Sequence, residues 1–173
     1  MTNHTRKVLF IINPKAGITP KIEALLRFQL GLLFGAGSTH DIAFTKGKLH
    51  ATALAAEAVA NGYDAVVAGG GDGTINEVAT ALFGTDVAMG ILPFGSGNWL
   101  ARHLKIPLNL IKALRVIAKG KTRLIDTIQI NDRLFTSIAG IGYDAAVAEK
   151  FDKSEVRGLV SYASIILKDY KHY

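Results

Sequence analysis

The chain has no cysteine among its 173 residues. Disulfide staples, thiolate metal sites and a cysteine nucleophile are thereby excluded, and the absence is compatible with a cytoplasmic protein. No apolar run approaches the roughly 18 residues that a membrane-spanning helix needs. Met1 to Lys7 is polar and basic. The apolar run behind it, Val8 to Ile12, ends at Asn13-Pro14, too short for a signal-peptide core, and reads as a strand. The histidines lack metal-ligand spacing: His40, His50 and His103 stand apart, with His4 and His172 near the ends, which argues against zinc. There is no internal repeat, no low-complexity tract and no block of like charge. The formal net charge of +6 comes from scattered basic residues. Solubility is its plain reading, and attraction to an anionic partner such as a nucleotide, nucleic acid or an acidic membrane face is the second.

What is present is a chain for one well-packed domain, with 49% apolar and 20% charged residues, and it is too short for two full-sized domains. Short β-type runs alternate with helical patterns. Val8 to Ile12 is continuously apolar, as in a strand covered on both faces. Thr19-Pro20 gives an N-cap with proline at the first helical position, and Ile22, Leu25, Leu26 and Leu33 fit one helix face, ending near Gly35. Asp41 to Thr45 is the second strand. Ala51, Leu54, Ala55, Ala58 and Val59 repeat at helical spacing and stop at Asn61-Gly62. Ala65 to Ala68 is the third strand, followed by a glycine loop from Gly69 to Thr74. Ile75, Val78, Ala79 and Leu82 mark the next helix, and Val87 to Leu92 the fourth strand. Leu110, Ala113, Leu114, Ile117 and Ala118 mark another helix, closed by Gly120. This alternation predicts an α/β fold of three layers, α/β/α, around a mostly parallel sheet. Beyond Gly120 the pattern changes. Leu124 to Ile130 and Leu134 to Ile138 flank an Asn131-Asp132 turn and should pair antiparallel. Helical patterns follow at Val147 to Phe151 and Val156 to Tyr170. The expected division is 1–120 as an α/β domain and 121–173 as the start of a β-rich second domain with a helical end.

In parallel sheets, ligands bind outside the carboxyl ends of the strands. Three polar or glycine-rich loops fall there: Asn13 to Gly17, Gly69 to Thr74 and Phe94 to Asn98. Consecutive glycines let backbone amides approach an anion, and the following helix adds its positive end. Asp72 would repel a phosphate unless a cation lay between, so its natural roles are a Mg²⁺ contact or a helix cap. Thr74 can donate to phosphate. Lys15 is a charge partner in the first loop. One such turn alone is more often an ordinary strand-to-helix connection with Asp72 as N-cap; three on one edge favour a cleft. The run is neither a Walker A loop nor the G-x-G-x-x-G of dinucleotide binders. His50 is expected to cap the helix beginning at Ala51. Asp126 and Asp144 read as turn residues, and Arg102, His103 and Lys105 as a solvated basic helix end.

At these residues the chain resembles the diacylglycerol kinase catalytic-domain family, which includes bacterial lipid kinases and sphingosine and ceramide kinases. Asn13-Pro14-x-Ala16-Gly17 is similar to its first nucleotide motif, and Thr45 with His50-Ala51 to its threonine followed by His-Ala. Gly70 to Thr74 with Asn76 and Glu77 resembles its signature GGDGT-x-NE. Pro93 to Asn98 is similar to P-x-GT-x-ND, with Ser96 for threonine and Trp99 for the closing aspartate; packing is the favoured role for Trp99. Asp126 and Ile138 to Ala145 resemble the entry to the family's second domain. The GGDGT motif alone is shared with NAD kinases. The resemblance implies ATP and Mg²⁺ as cofactors and γ-phosphoryl transfer to a lipid alcohol such as diacylglycerol. It implies nucleotide contacts from Asn13, Pro14, Lys15, Ala16, Gly17, Thr45, Gly70, Gly71, Asp72, Gly73, Thr74, Ile75, Asn76, Glu77, Gly95, Ser96 and Asn98. Asp72 is the implied catalytic and metal-binding residue. It further implies a cytoplasmic protein with peripheral membrane contact and no nucleic-acid partner. The family's catalytic base and regulatory metal ligands lie further along than Tyr173, so the chain is expected to be an incomplete piece with little kinase activity alone. Exposed sheet edges would then favour a homodimer. Two alternatives remain: a NAD kinase or other soluble-substrate kinase, and a non-catalytic nucleotide-binding module.

Overall fold

Four parallel strands form the centre, and the sequence of β1 (Arg6–Ile12) explains its place among them. Every residue from Val8 to Ile12 is buried, because neighbouring strands and helices cover both edges and both faces. The computed structural model describes residues 6–34, 38–137, 142–143, 145–147, 150 and 166. The elements run β1, α1 (Pro20–Leu33), β2 (Ser38–Phe44), α2 (His50–Ala60), β3 (Ala65–Gly70), α3 (Asp72–Leu82), β4 (Ala88–Pro93), α4 (Trp99–His103), α5 (Leu110–Lys119), β5 (Ile128–Ile130) and β6 (Arg133–Phe135). The sheet order is β2-β1-β3-β4, parallel throughout, with Ile12 beside Gly69 and Gly70 beside Pro93. The expected α/β fold is what the chain adopts.

Alternate residues of each strand feed opposite cores. Leu9, Ile11, Val66 and Ala68 pack with Ala51, Ala55 and Ala58 of α2 and Ile75, Val78 and Leu82 of α3. Val8, Phe10, Ile12 and Val67 pack on the other face with Leu26 and Leu30 of α1 and Ala113 and Leu114 of α5. The alanine stripe on α2 lets it approach α3 closely. Thr19 caps α1, accepting from the Ile22 N–H at 3.3 Å. Gly120 ends α5 at φ +63°. On α1 the buried positions are Leu26 and Leu30, continued by Phe34 at the C-cap, whereas the expected Leu25 is exposed. The helix is rotated so that the i, i+4, i+8 row meets the sheet.

Edge strand β2 is anchored by its neighbours. The Tyr63 hydroxyl donates to Asp41 Oδ2 at 2.7 Å, and the Lys7 ammonium lies 4.1 Å from the Tyr63 ring centroid. The hydrogen bond to Asp41, then burial and the carboxylate charges of Asp41 and Glu57, push the phenol up from 10.0 to about 12. A raised acid constant means that the folded state holds its proton longer than the unfolded chain does. The stabilisation is therefore complete below pH 10 and is lost as pH rises through about 12. Absorbance titration should show a late phenol, and Asp41→Asn should bring it back towards 10.0.

Two compact units divide between Thr136 and Ser137. The first includes the β5–β6 hairpin, antiparallel as expected, though its strands are shorter than predicted; Asn131 turns it at φ +51°. In the second, the Tyr143 hydroxyl donates to the Ile166 carbonyl at 2.6 Å and Val147 is buried. Residues 143, 145–147, 150 and 166 are helical; Asp144 and the remainder of the helices expected at 147–151 and 156–170 lie outside the described residues.

Candidate functional site

Helix α1 leaves β1 on one face and α3 leaves the adjacent β3 on the other. A crevice therefore opens between these strands at their carboxyl ends, the switch point of the sheet. Asn13 stands in it. Its N–H donates to the Gly69 carbonyl at 2.8 Å, and its side-chain amide donates to Thr74 Oγ1 at 3.1 Å. Its Oδ1 accepts the Lys15 N–H at 3.0 Å, an Asx turn. Asn13 so joins the first loop to the first turn of α3. Pro14, Lys15 and Gly17 are exposed beside it and Ala16 is half-buried. Thr74 is buried, with a hydroxyl proton left for a second acceptor.

The glycine run is more strand than loop. Gly69 and Gly70 are the last residues of β3, and only Gly71 separates the strand from α3. Packing explains this correction to the expected Gly69–Thr74 loop. A Cβ on Gly69 would land on Ile12 Cδ1, and one on Gly70 would sit 2.5 Å from Thr74 Oγ1. Gly71 lies against Gly95, where a Cβ would come 2.5 Å from the Gly71 Cα. Gly73 differs: a Cβ there meets nothing within 4 Å. The first intrahelical bond of α3 runs from the Ile75 N–H to the Gly71 carbonyl, so the amides of Asp72, Gly73 and Thr74 have no acceptor within the helix. Open amides at the positive helix end suit an anion.

Asp72 is N1 of α3, yet its carboxylate caps a different helix. Oδ2 accepts the Asn98 N–H at 2.9 Å and Oδ1 the Trp99 N–H at 2.7 Å, at the start of α4. Each oxygen keeps a further lone pair. Asn98 is buried in the left-handed region at φ +54° and closes its own loop. Its Oδ1 accepts the Gly95 N–H at 2.9 Å and its Nδ2 donates to the Gly95 carbonyl at 2.5 Å. Ser96 is exposed at the loop tip, and Arg102 Nε donates to the Gly97 carbonyl at 2.8 Å. Trp99 is 50% exposed, with the edge of its indole against Gly97. Leu100 and Ala101 are the α4 residues that reach the core.

The rest of the signature run reaches outward from the crevice. Ile75 is a core residue at 1% exposure, so its side chain can touch no ligand. Asn76 ties down the hairpin: Nδ2 donates to the Leu134 carbonyl at 3.0 Å, and Oδ1 accepts from the Thr136 N–H and hydroxyl, each at 3.2 Å. Glu77 caps α2, accepting the Leu49 N–H at 3.0 Å and the Ala51 N–H at 3.1 Å. That replaces the cap expected from His50, whose Nδ1 instead accepts the Lys46 N–H at 3.0 Å. Leu49 is left-handed at φ +62°, a cost of roughly 1–2 kcal/mol for a non-glycine residue. Thr45 joins the edge through its N–H to the Ile12 carbonyl at 2.9 Å. Among the described residues no three His, Cys, Asp or Glu side chains cluster to hold a metal, and no helix is long and apolar enough to cross a membrane.

Residues 7–130 match the model of the diacylglycerol kinase catalytic domain. The chain belongs to that family. It is 36% identical over 155 residues to "Probable lipid kinase YegS-like" of Enterobacter sp. (strain 638), covering 87% of this chain and 50% of that protein. A protein of the same name from Pseudomonas putida is 33% identical over 161 residues, covering 91% of this chain and 53% of the relative. The crystal structure of a diacylglycerol kinase from Bacillus anthracis superposes with a TM-score of 0.65 at 30% identity, over 75% of this chain and 45% of that one. The chain thus spans about half the length of the diacylglycerol kinase-family relatives that it matches.

Proposed function

We propose that this chain carries the nucleotide-binding half of an ATP-dependent lipid kinase, which transfers the γ-phosphoryl group of ATP to the hydroxyl of a lipid such as diacylglycerol. The observation that carries the reading is the open first turn of α3 at the switch point, in a chain of the diacylglycerol kinase family. The amides of Asp72, Gly73 and Thr74 hold phosphate oxygens. The Asn13–Gly17 loop, with Lys15 as its charge, walls one side. Gly95 and the Ser96 hydroxyl wall the other, and Thr45 lies at the next strand end. Phosphoryl transfer asks mainly for positioning and charge neutralisation, which such parts supply.

Mg²⁺ fits this donor set. The ion commonly binds through one or two carboxylates together with phosphates and water rather than in a protein cage. Asp72 offers one carboxylate whose hydrogen bonds to Asn98 and Trp99 leave lone pairs unused. When bound, Mg²⁺ neutralises phosphate charge and lets Asp72 lie beside it. Residues 1–120 hold the nucleotide in this proposal, and the chain from 121 begins the part that presents the lipid. Peripheral contact with an anionic membrane face suits the net charge of +6.

The test is a kinase assay on the complete gene product, with labelled Mg·ATP and a panel of lipid alcohols in mixed micelles beside NAD. Label in diacylglycerol or a related lipid alcohol supports the proposal. Phosphorylation of NAD without any lipid product would sink it in favour of a soluble-substrate kinase.

A further inference from the structure

Glu77 has a carboxylate whose two oxygens each hold one backbone N–H of another element, Leu49 at 3.0 Å and Ala51 at 3.1 Å. A third bond at the same place runs from the Thr52 hydroxyl to the Glu77 carbonyl at 3.1 Å. The segment it grips is the β2–α2 loop, 45–49. The near end of that loop is fixed by the Thr45 N–H on the Ile12 carbonyl, and its middle by the bond from the Lys46 N–H to His50 Nδ1. The far end is Leu49, 66% exposed and in the left-handed region. Burial therefore does not hold Leu49 in that conformation. The left-handed turn is also what aims the Leu49 and Ala51 amides at one carboxylate, with the positive end of α2 behind them.

We infer that Glu77 is a positioning residue for the nucleotide. By capping α2 it holds the loop carrying Thr45 and Lys46 at the carboxyl edge of the sheet, and it acts through the Leu49 turn without touching nucleotide or metal. This rests on the nucleotide reading above. It differs from the role that the GGDGT-x-NE resemblance gives Glu77, which is direct contact.

Two measurements on the chain separate these roles. Mg·ATP affinity is read by calorimetry, and exchange of the Leu49 and Ala51 amides is read without nucleotide. Glu77→Gln is isosteric but keeps only one accepting oxygen. It should raise the Kd for Mg·ATP about five- to twentyfold and speed both amides at least tenfold. Glycine adopts the left-handed turn freely, so adding Leu49→Gly to Glu77→Gln should bring the Kd back to within about threefold of wild type. A contact residue could not be rescued in this way. Unchanged affinity in Glu77→Gln, or weakened affinity that Leu49→Gly fails to restore, would overturn the inference. Should Glu77→Gln not fold, Leu49→Gly/Glu77→Gln is compared with Leu49→Gly; a difference under about threefold supports positioning and a larger one overturns it. Wild type that binds no Mg·ATP would remove the nucleotide reading and this inference with it, while the amide exchange would still report whether the cap exists.

Discussion

Asp72→Asn is expected to weaken Mg·ATP binding roughly ten- to hundredfold, while ATP offered without magnesium binds at least as well as to wild type. The two halves have opposite signs because one charge is removed. A carboxylate beside a phosphate repels it. At about 5–6 Å and an effective dielectric near 20, one unit-charge pair is worth about 3 kcal/mol, and each 1.4 kcal/mol is a factor of ten. With Mg²⁺ between them the same carboxylate is attractive, so its loss is felt only with the metal present. The substitution also touches the fold. Asp72 accepts the Asn98 and Trp99 amides with separate oxygens, and an asparagine can accept only one of them. A cost of about 1–2 kcal/mol should follow, seen as a lower melting temperature without any nucleotide. Calorimetry with and without Mg²⁺, beside thermal unfolding, tests both. Reduced stability with an unaltered magnesium dependence would leave Asp72 as the cap of α4 and nothing more.

The cap that Asp72 places on α4 lies beyond what local sequence patterns can reveal. Signals confined to a few neighbouring residues were legible. Val8 to Ile12 declared a central strand, Thr19-Pro20 a helix start and Gly120 a helix end, and each is where periodicity and capping place it. The strand-helix alternation was enough to give a parallel sheet and to put the three segments at its carboxyl edge, although the glycine run among them is strand end and helix start rather than loop. Two other kinds of feature were not legible. Helix rotation was one: the expected face of α1 ran through Leu25, which is exposed, whereas the buried row runs through Leu26 and Leu30. Pairing at a distance was the other. Asp72 caps a helix 26 residues away, Glu77 reaches back as far to Ala51, and Asn76 crosses 60 residues to Thr136. No local spacing announces such bonds. The motif resemblance grouped these side chains with the nucleotide, and the structure adds that they fasten α4, α2 and the hairpin to α3. Helix α3 joins its neighbours with polar side chains on several sides while its first-turn amides remain open.

The glycines of the cleft separate packing from ligand approach, and alanine at two of them should move stability and affinity in different directions. Gly95→Ala places a methyl 2.5 Å from the Gly71 Cα and 3.0 Å from Asn98 Oδ1. Neither neighbour can yield cheaply. Gly71 is the single residue between β3 and α3, and the Asn98 oxygen is needed by the Gly95 N–H. Overpacking of this kind costs about 2–3 kcal/mol, or roughly 4–12 °C in melting temperature for a chain of this size. Gly73→Ala meets nothing within 4 Å and lies within a helix, where alanine is favoured over glycine by up to about 1 kcal/mol. Its melting temperature should hold or rise. Yet the new methyl stands on the open side of the α3 first turn, where phosphate oxygens are proposed to approach the amides. Mg·ATP affinity should therefore fall about tenfold or more in a protein that is no less stable. Thermal unfolding paired with calorimetry reads both quantities. Wild-type affinity in Gly73→Ala would mean that the open turn is not where the nucleotide sits, and the glycine run would then be explained by the packing of Gly69, Gly70 and Gly71 alone.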